Sequence, residues 1–488
     1  MTMKTLFRMA PALLLLAAMG ACDRSALDVL PEDQTASDVA IKDMKSATAA
    51  LMGGYSILQS GDYYGGDYII WPEVMSDNAE HTGTYGSYGQ ADLLTVTADN
   101  YEVTHIWQDA YDGINRVNEL LEKVPGLDNI DQSDKDWLLG QAYALRALHY
   151  FSLVRAYGGV PLVLTPPASL DEASQVSRAT VSDVYAQIEA DLGQAATLMA
   201  SGGIDNSARS LTTPGFVDAL LSKVLLYQQK WSQAETAAMR VVNSGDYDLV
   251  TDYGSLWADG STPEDIFKIT FTAVDYNNYG YYYQYAGRFE TGATTDIYTA
   301  YDSLTDLRWA ATFNGTRNDG IQVVKFPTTA GTEDYDVMRY AEVLLIVAEA
   351  AAEQNDLTTA VTYLNMVHTR AGLTALDLAT DLNNNQQDVL DAIHFERRLE
   401  LAFEGDRWFE VVRLGLGSSV LSSRWAADDH MNLWPIPVTS APRSRGGASL
   451  HPGLAHARRG ASAPGSHQRF PTPRVRLACG LRPLQGRL

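Results

Sequence analysis

The chain has 488 residues, a formal net charge of −24 and only two cysteines. Residues 1–21 contribute two basic residues and residues 441–488 contribute nine, and neither segment has an acidic residue, so the stretch between them holds 25 basic against 60 acidic residues. So acidic a body repels nucleic acid and anionic membrane surfaces, which excludes a nucleic-acid-binding protein and suits a neutral ligand.

The N-terminus has the features of an export signal. Lys4 and Arg8 flank a short positive region, an apolar stretch extends over residues 13–18, and small residues stand directly before Cys22. The apolar stretch is too short to span a bilayer. We predict a lipoprotein signal peptide over residues 1–21 with Cys22 as the lipid anchor. Plain secretion with cleavage nearby is the alternative.

Cysteine usage and composition indicate how the exported chain is stabilised. The other cysteine is Cys479, so disulfides do not hold the chain together. Stability must come from burial, and a hydrophobic composition of 46% is enough for a large core in a chain of this size. No run of about 20 apolar residues follows the signal, so we expect a soluble mature protein tethered at one end.

Eight segments show apolar residues recurring at intervals of three and four positions, the pattern of an amphipathic helix. They cover residues 106–124, 137–155, 181–199, 214–228, 231–243, 340–354, 357–370 and 386–403. These segments predict a mainly α protein.

Two pairs of these segments share a spacing of small residues. Ala348 is followed 12 residues later by Ala360, and Ser222 is followed 12 residues later by Ala234. Small residues at this offset let antiparallel helices touch closely, as in tetratricopeptide hairpins, although any close-packed helix pair can produce the spacing by chance. We predict tetratricopeptide-like helical hairpins that stack into a scaffold, with loop-rich and short β excursions.

The last 48 residues differ in composition from the rest of the chain. Residues 441–488 contain nine Arg, seven Gly, seven Ala and six Pro, and no Lys, Asp or Glu. They show no helix or strand periodicity. A basic tail that binds anionic lipid or polysaccharide is one interpretation. We favour a frameshift near Ser440, because GC-rich codons read out of frame give this composition, and we expect the tail to be no part of the evolved fold.

Four sequence motifs stand out along the chain, at 145–163 (LRALHYF continuing to YGGVPLV), 339–373, 396–409 (ERR to GDRWF) and 433–437 (LWPIP). They resemble the motifs of the SusD/RagB family and fall in the order usual for it. The resemblance implies an outer-membrane lipoprotein that covers a TonB-dependent transporter and binds glycan at the cell surface. It implies one glycan-binding domain over residues 22–440. The family's usual Asn-Pro-rich ending is replaced here by the aberrant tail.

Glu396 is the carboxylate that most needs explanation in these motifs. Ala392, Phe395, Leu399 and Phe403 share one predicted helix face, and Glu396 lies at its edge. A half-buried carboxylate needs a partner, so we expect a structural ion pair rather than a catalytic acid. The candidate partners are Arg339, Arg370 and Arg407.

Enzyme signatures are not found in the sequence. None of the nine histidines pairs with another at metal-ligand spacing, and neither a Gly-x-Ser-x-Gly elbow nor a phosphate loop is present. We expect a non-catalytic protein without metal or cofactor, while a glycosidase pair among so many carboxylates stays open.

Tyrosines are concentrated in two places. Tyr276, Tyr279, Tyr281 and Tyr283 lie in a segment rich in Tyr, Asn and Gly, and Tyr85 and Tyr88 lie in a Gly-rich stretch. Aromatic faces stack on sugar rings while Asn, Gln and Asp bond the hydroxyls, so these six tyrosines are the predicted glycan-binding residues. The alternative is that alternate tyrosines pack in a strand pair as ordinary core.

Three functions remain open from the sequence. The first is a surface glycan-binding lipoprotein that captures oligosaccharide and delivers it to a partner TonB-dependent outer-membrane transporter. The second is a surface glycoside hydrolase, and the third is a tetratricopeptide adaptor that binds a protein partner and no sugar.

Overall fold

Helices supply most of the framework in the computed structural model, which describes residues 41–167, 176–258, 260–317, 320–425 and 432–438. The predicted signal peptide, Cys22 and the tail from residue 441 lie outside these ranges. Within them the chain forms sixteen helices: α1 Met44–Ser56, α2 Asp67–Met75, α3 Gly86–Asp92, α4 Tyr101–Lys123, α5 Gln132–Tyr157, α6 Val181–Gly202, α7 Pro214–Tyr227, α8 Trp231–Ser244, α9 Tyr279–Tyr283, α10 Thr295–Ala300, α11 Leu307–Thr312, α12 Tyr340–Glu353, α13 Leu357–Arg370, α14 Gln386–Glu400, α15 Arg407–Arg413 and α16 Gly417–Val420. The mainly α class is confirmed.

All eight periodic segments are helices, α4 to α8 and α12 to α14, with local differences at their ends. Helix α4 begins at Tyr101 because the Asn100 side chain accepts hydrogen bonds from the first free N–H groups. Helix α14 ends at Glu400 and not at Phe403, because Phe403 and Gly405 have φ angles of 67° and 72°, which no α-helix contains.

The predicted hairpins are present. Helix α7 packs on α8 and α12 packs on α13, and the four small residues Ser222, Ala234, Ala348 and Ala360 are completely buried. Helix α8 also packs on α12, so the two hairpins stack side by side as repeat units do. Helix α5 joins the stack through α6 and contacts α4 on its other side.

Two small antiparallel sheets stand beside the helices in the described residues. The strands are β1 Ala79–His81, β2 Asp265–Ile269, β3 Thr291–Ala293, β4 Phe313–Arg317, β5 Gly320–Val323 and β6 Tyr335–Arg339. The larger sheet has the order β1-β3-β5-β4, and the smaller one pairs β2 with β6. In the larger sheet, His81 lies opposite Thr291, so segments about 200 residues apart in sequence become neighbours.

The last described segment closes an aromatic part of the core. The Trp434 ring lies 4.8 Å from that of Trp71 and 5.6 Å from that of Tyr157, and both pairs meet edge to face. The backbone N–H of Trp434 donates to the carbonyl of Ala156 at 2.7 Å. Residues 432–438 are therefore packed into the N-terminal half of the fold.

Within the described ranges, none of the helices combines the length and the apolar character that crossing a bilayer requires.

Candidate functional site

The pairing of β1 with β3 places the loop after His81 beside the segment before Thr291. The backbone N–H groups of Thr82 and Gly83 donate to the carbonyl of Glu290 at 3.1 and 3.0 Å. This continuation of the ladder joins the two tyrosine-containing regions at one edge of the sheet.

The buried side chain of Glu290 holds the loop that carries Tyr85. It accepts hydrogen bonds from the backbone N–H groups of Thr84 at 2.8 Å and Tyr85 at 2.5 Å, and from Arg288 Nε at 2.6 Å. His81 Nε2 lies 3.0 Å from the same carboxylate. Burial alone would raise the pKa of Glu290, but these hydrogen bonds and the Arg288 charge hold that pKa below its usual value. A charged Glu290 therefore fixes the loop geometry.

Three tyrosine rings meet above this anchor. The centroids of Tyr85 and Tyr88 are 6.2 Å apart, those of Tyr85 and Tyr282 are 6.1 Å apart, and those of Tyr88 and Tyr282 are 5.9 Å apart. Tyr281 adjoins the group, with its centroid 5.9 Å from that of Tyr282. The Arg288 guanidinium lies 3.7 Å from the Tyr85 centroid, a cation–π contact that orients the ring. We call these residues the tyrosine cluster.

The predicted tyrosines divide evenly between surface and core. Tyr85, Tyr276 and Tyr281 are 38%, 58% and 44% exposed. Tyr85 and Tyr281 belong to the tyrosine cluster. Tyr276 follows a turn in which the Thr272 hydroxyl accepts from the N–H of Asp275, and among the described residues it makes no ring contact with the cluster.

Tyr88, Tyr279 and Tyr283 are buried, which corrects the expectation that all six offer a face to ligand. Helix α9 spans five residues, so Tyr279 and Tyr283 are one helical turn apart and point inward together. Tyr279 packs 4.6 Å from Phe326 and donates a hydrogen bond to the carbonyl of Tyr64. The alternative interpretation, in which these tyrosines pack in a strand pair, is also wrong, because this segment is helical.

Tyr283 and Tyr88 are fixed by separate contacts. The Tyr283 ring lies 5.5 Å from that of Phe403, edge to face. The Tyr88 hydroxyl donates to Asp67 at 2.5 Å, so the ring backs the cluster from inside. Sequence reasoning did not include Tyr282 and Arg288 among the site residues. The pairing of β1 with β3, which brings them to Tyr85, leaves no signal in the local sequence.

Glu396 forms the expected structural ion pair, but with a different partner. Its carboxylate contacts Arg308 at 2.6 Å and His368 Nδ1 at 2.7 Å. Burial opposes ionisation, yet Arg308 first and then His368 hold the pKa of Glu396 below its usual value. Glu396 is therefore ionised and paired on two sides, and its role is to stabilise the interior of the fold.

The three arginines proposed as its partners pair elsewhere. Arg339 and Arg370 both bond Glu400, Arg339 at 2.5 Å, and Arg407 bonds Asp77 at 2.7 Å. The predicted apolar face of α14 is also wrong at Phe395, which is 49% exposed. Within the described residues, no group of three His, Cys, Asp or Glu side chains is arranged to hold a metal ion.

Comparison with known proteins decides the family. Residues 247–440 match the model of the SusD family, and residues 26–226 match the model of a family described as starch-binding and associating with the outer membrane. The chain belongs to the SusD/RagB family. Two SusD-like proteins of Formosa agariphila are similar to it, one at 26% identity over 83% of this chain and 90% of the relative, the other at 24% over 87% and 94%.

Solved SusD structures share the fold. A laminarin-binding SusD-like protein matches with a TM-score of 0.71 and 25% identity, covering 82% of this chain and 97% of that chain. A SusD superfamily protein from Bacteroides thetaiotaomicron matches with a TM-score of 0.72 and 22% identity, covering the same shares of the two chains. The SusD-like helical scaffold with small sheets, predicted from the sequence, is thereby confirmed.

Proposed function

We propose that this protein captures neutral oligosaccharide at the outer surface of the outer membrane and delivers it to a TonB-dependent transporter. The observation that carries the proposal is the tyrosine cluster, in which Tyr85 and Tyr281 are exposed and held in place by buried neighbours. The laminarin-binding SusD-like structure supports a glycan as the ligand. Preorganised aromatic faces bind sugar rings at low entropic cost, as rigid aromatic anchors do at other interfaces.

The proposed contacts follow from the chemistry of the exposed groups. Tyr85 and Tyr281 would stack on the C–H faces of sugar rings, and the partly exposed Tyr282 would add its ring edge. The charge of Arg288 is already matched by Glu290 at 2.6 Å, so the cluster does not select anionic glycans by net charge. Tyr276 would contact a longer ligand from outside the cluster.

Binding of laminarin oligosaccharides to the exported chain, measured by calorimetric titration, tests the site. Replacing Tyr85 and Tyr281 together by Ala removes stacking worth on the order of 1 kcal/mol each, so we expect affinity to fall by about one to two orders of magnitude. Phe395→Ala is the matched control, because Phe395 is an exposed aromatic on the helical scaffold. Intact affinity in the double variant would place the site elsewhere.

The same preparations distinguish glycan capture from glycan hydrolysis. We expect bound polysaccharide to yield no new reducing ends over prolonged incubation. Turnover that disappears when one carboxylate is changed to its amide would replace the capture proposal by hydrolysis.

Membrane association depends on the proposed lipid at Cys22. Cys22→Ser should move the protein from the membrane fraction to the soluble exported fraction, since a non-lipidated chain has no anchor. Retention of the variant in membranes would show that another element holds the protein there. The proposed transporter partner is tested by co-purification. We expect the transporter to purify with the native chain and to be missing from the fraction that holds the Cys22→Ser variant.

A further inference from the structure

Tyr101 is an exposed aromatic residue that lies outside the tyrosine cluster. It is the first residue of α4 and is 51% exposed. Its ring stacks on the imidazole of His105, with the two centroids 3.8 Å apart and the planes inclined by 27°. One face of the Tyr101 ring is therefore covered by His105, and the other face is accessible to a ligand.

The Tyr101 ring is oriented before any ligand arrives. His105 Nδ1 donates a hydrogen bond to the backbone carbonyl of Tyr101 at 2.8 Å, which fixes the imidazole against the ring. The start of α4 is fixed as well, because the Asn100 side chain accepts from the backbone N–H of Glu102 at 3.0 Å. An aromatic ring that is already held in place loses little conformational freedom when it binds. Tyr101 thus shares two properties with Tyr85, which is exposed and oriented by a neighbouring side chain.

Hydrogen bonding places Tyr101 near the tyrosine cluster. Helix α3 begins directly after Tyr85, and the Ser87 hydroxyl of this helix donates to Glu102 Oε1 at 2.7 Å. Ser87 is two residues from Tyr85, and Glu102 is the next residue after Tyr101. With 3.8 Å between consecutive Cα atoms and the lengths of the two bonded side chains, the Cα atoms of Tyr85 and Tyr101 are within about 20 Å of each other. An oligosaccharide of a few units spans this distance.

The surface between the two tyrosines is open at Gly86. This residue stands between Tyr85 and Ser87, and a Cβ atom added to it would meet no atom of the surrounding structure within 4 Å. No side chain or backbone segment therefore covers the first residue of α3. A sugar chain that lies on Tyr85 can continue over α3 towards Tyr101 without a steric barrier at this point.

We propose that Tyr101 is a second aromatic subsite, which stacks on a further sugar unit of the same neutral oligosaccharide that the tyrosine cluster holds. The inference rests on the proposed function and specifies the ligand by its length. A ligand that reaches both places makes its second contact while it is already bound, so this contact costs little additional translational freedom. The protein would therefore prefer longer oligosaccharides to short ones.

The test compares ligands that differ only in length. Laminaribiose and laminarihexaose are titrated into the full chain and into its Tyr101→Ala variant. We expect the variant to lose about fivefold in affinity for the hexasaccharide, the effect of one lost stacking contact, and to bind the disaccharide as the native chain does. Tyr101→Phe keeps the ring and should keep the native affinity for both ligands. Phe395→Ala, which removes an exposed aromatic ring from α14, should also leave both affinities unchanged.

Tyr101→Ala is expected to fold, because removal of an exposed ring leaves no cavity, and it should melt at the native temperature. An unchanged affinity of Tyr101→Ala for the hexasaccharide would overturn the subsite. An equal loss for both ligands would also overturn it, as would a loss in Tyr101→Phe as large as that in Tyr101→Ala. If the hexasaccharide binds to the native chain and to Tyr101→Ala alike, only the subsite fails; if neither oligosaccharide binds, the proposed function fails as well.

Discussion

The guanidinium of Arg308 lies 2.6 Å from the carboxylate of Glu396, although the two residues are 88 positions apart in the chain. Arg308 is completely buried and also bonds Asp306 at 2.8 Å and Glu400 at 3.0 Å. We expect Arg308→Met to lower the free energy of unfolding by about 3 to 5 kcal/mol, because it leaves buried carboxylates without their cation. Denaturant unfolding monitored by circular dichroism measures the change.

An exposed pair provides the comparison. Arg240 contacts Asp218, and the two side chains are 48% and 25% exposed. Arg240→Met should cost less than about 1 kcal/mol. Equal losses of unfolding free energy in Arg308→Met and Arg240→Met would show that burial of the Arg308 network adds nothing to stability.

Tyr283 and Tyr281 are two residues apart in α9 but have opposite surroundings. Tyr283→Ala should lower the unfolding free energy by about 3 to 5 kcal/mol, because it leaves a cavity beside Phe403. Tyr281→Ala should lower it by less than about 1 kcal/mol and weaken glycan binding. Thermal melting and titration on both variants separate the two effects. Normal stability of Tyr283→Ala together with lost binding would contradict the burial of Tyr283.

The end of the fold can be located by truncation. A chain that stops at residue 440 keeps Trp434, whose ring contacts Trp71 and Tyr157. We expect it to melt at the same temperature as the full chain or above, while Trp434→Ala in that shortened chain should cost about 3 to 5 kcal/mol. A lower melting temperature after truncation alone would assign a stabilising role to residues 441–488.

Glu73 gives the protein a pH-dependent stability. Burial raises the pKa of this completely buried side chain from 4.5 to about 7. The folded state thus binds a proton more tightly than the unfolded chain does, so the contribution is full below about pH 4.5 and is lost as the pH rises through about 7. The loss is on the order of 3 kcal/mol.

The Glu73→Gln variant isolates this contribution. Unfolding free energies measured across the same pH range should fall less steeply with rising pH in the variant than in the native protein. Glu235→Gln, a change at the surface of α8, should leave the native slope unchanged. Identical slopes for the native protein and Glu73→Gln would show that Glu73 does not titrate in this window.

Helical periodicity predicted the scaffold because long amphipathic helices repeat their apolar residues many times. The same reasoning did not predict helix α2. Every residue from Asp67 to Met75 is buried and Pro72 lies inside the helix, so no polar face reveals the helical period. The sequence also did not identify the ion-pair partner of Glu396. Arg308 lies in the six-residue helix α11, which is too short to show a pattern.

Amino-acid composition identified the region of the candidate site, but it did not identify which tyrosines of that region are exposed. Tyr85 and Tyr281 are exposed, as a binding platform requires, but sequence alone did not separate them from Tyr279 and Tyr283. A strand would have placed residues 279, 281 and 283 on one side, whereas a helix puts 281 opposite the other two. One turn of helix has too few residues to reveal which period applies.

Trp434 also determines when the fold can be completed. Its partners Trp71 and Tyr157 are made early in synthesis, but the ring that fills the space between them leaves the ribosome hundreds of residues later. Contacts of such large sequence separation slow folding, because the intervening chain must be ordered first. A chain that has not yet placed Trp434 leaves the space between Trp71 and Tyr157 unfilled. This part of the interior therefore forms late in folding, after the elements that carry Trp71 and Tyr157 are in place.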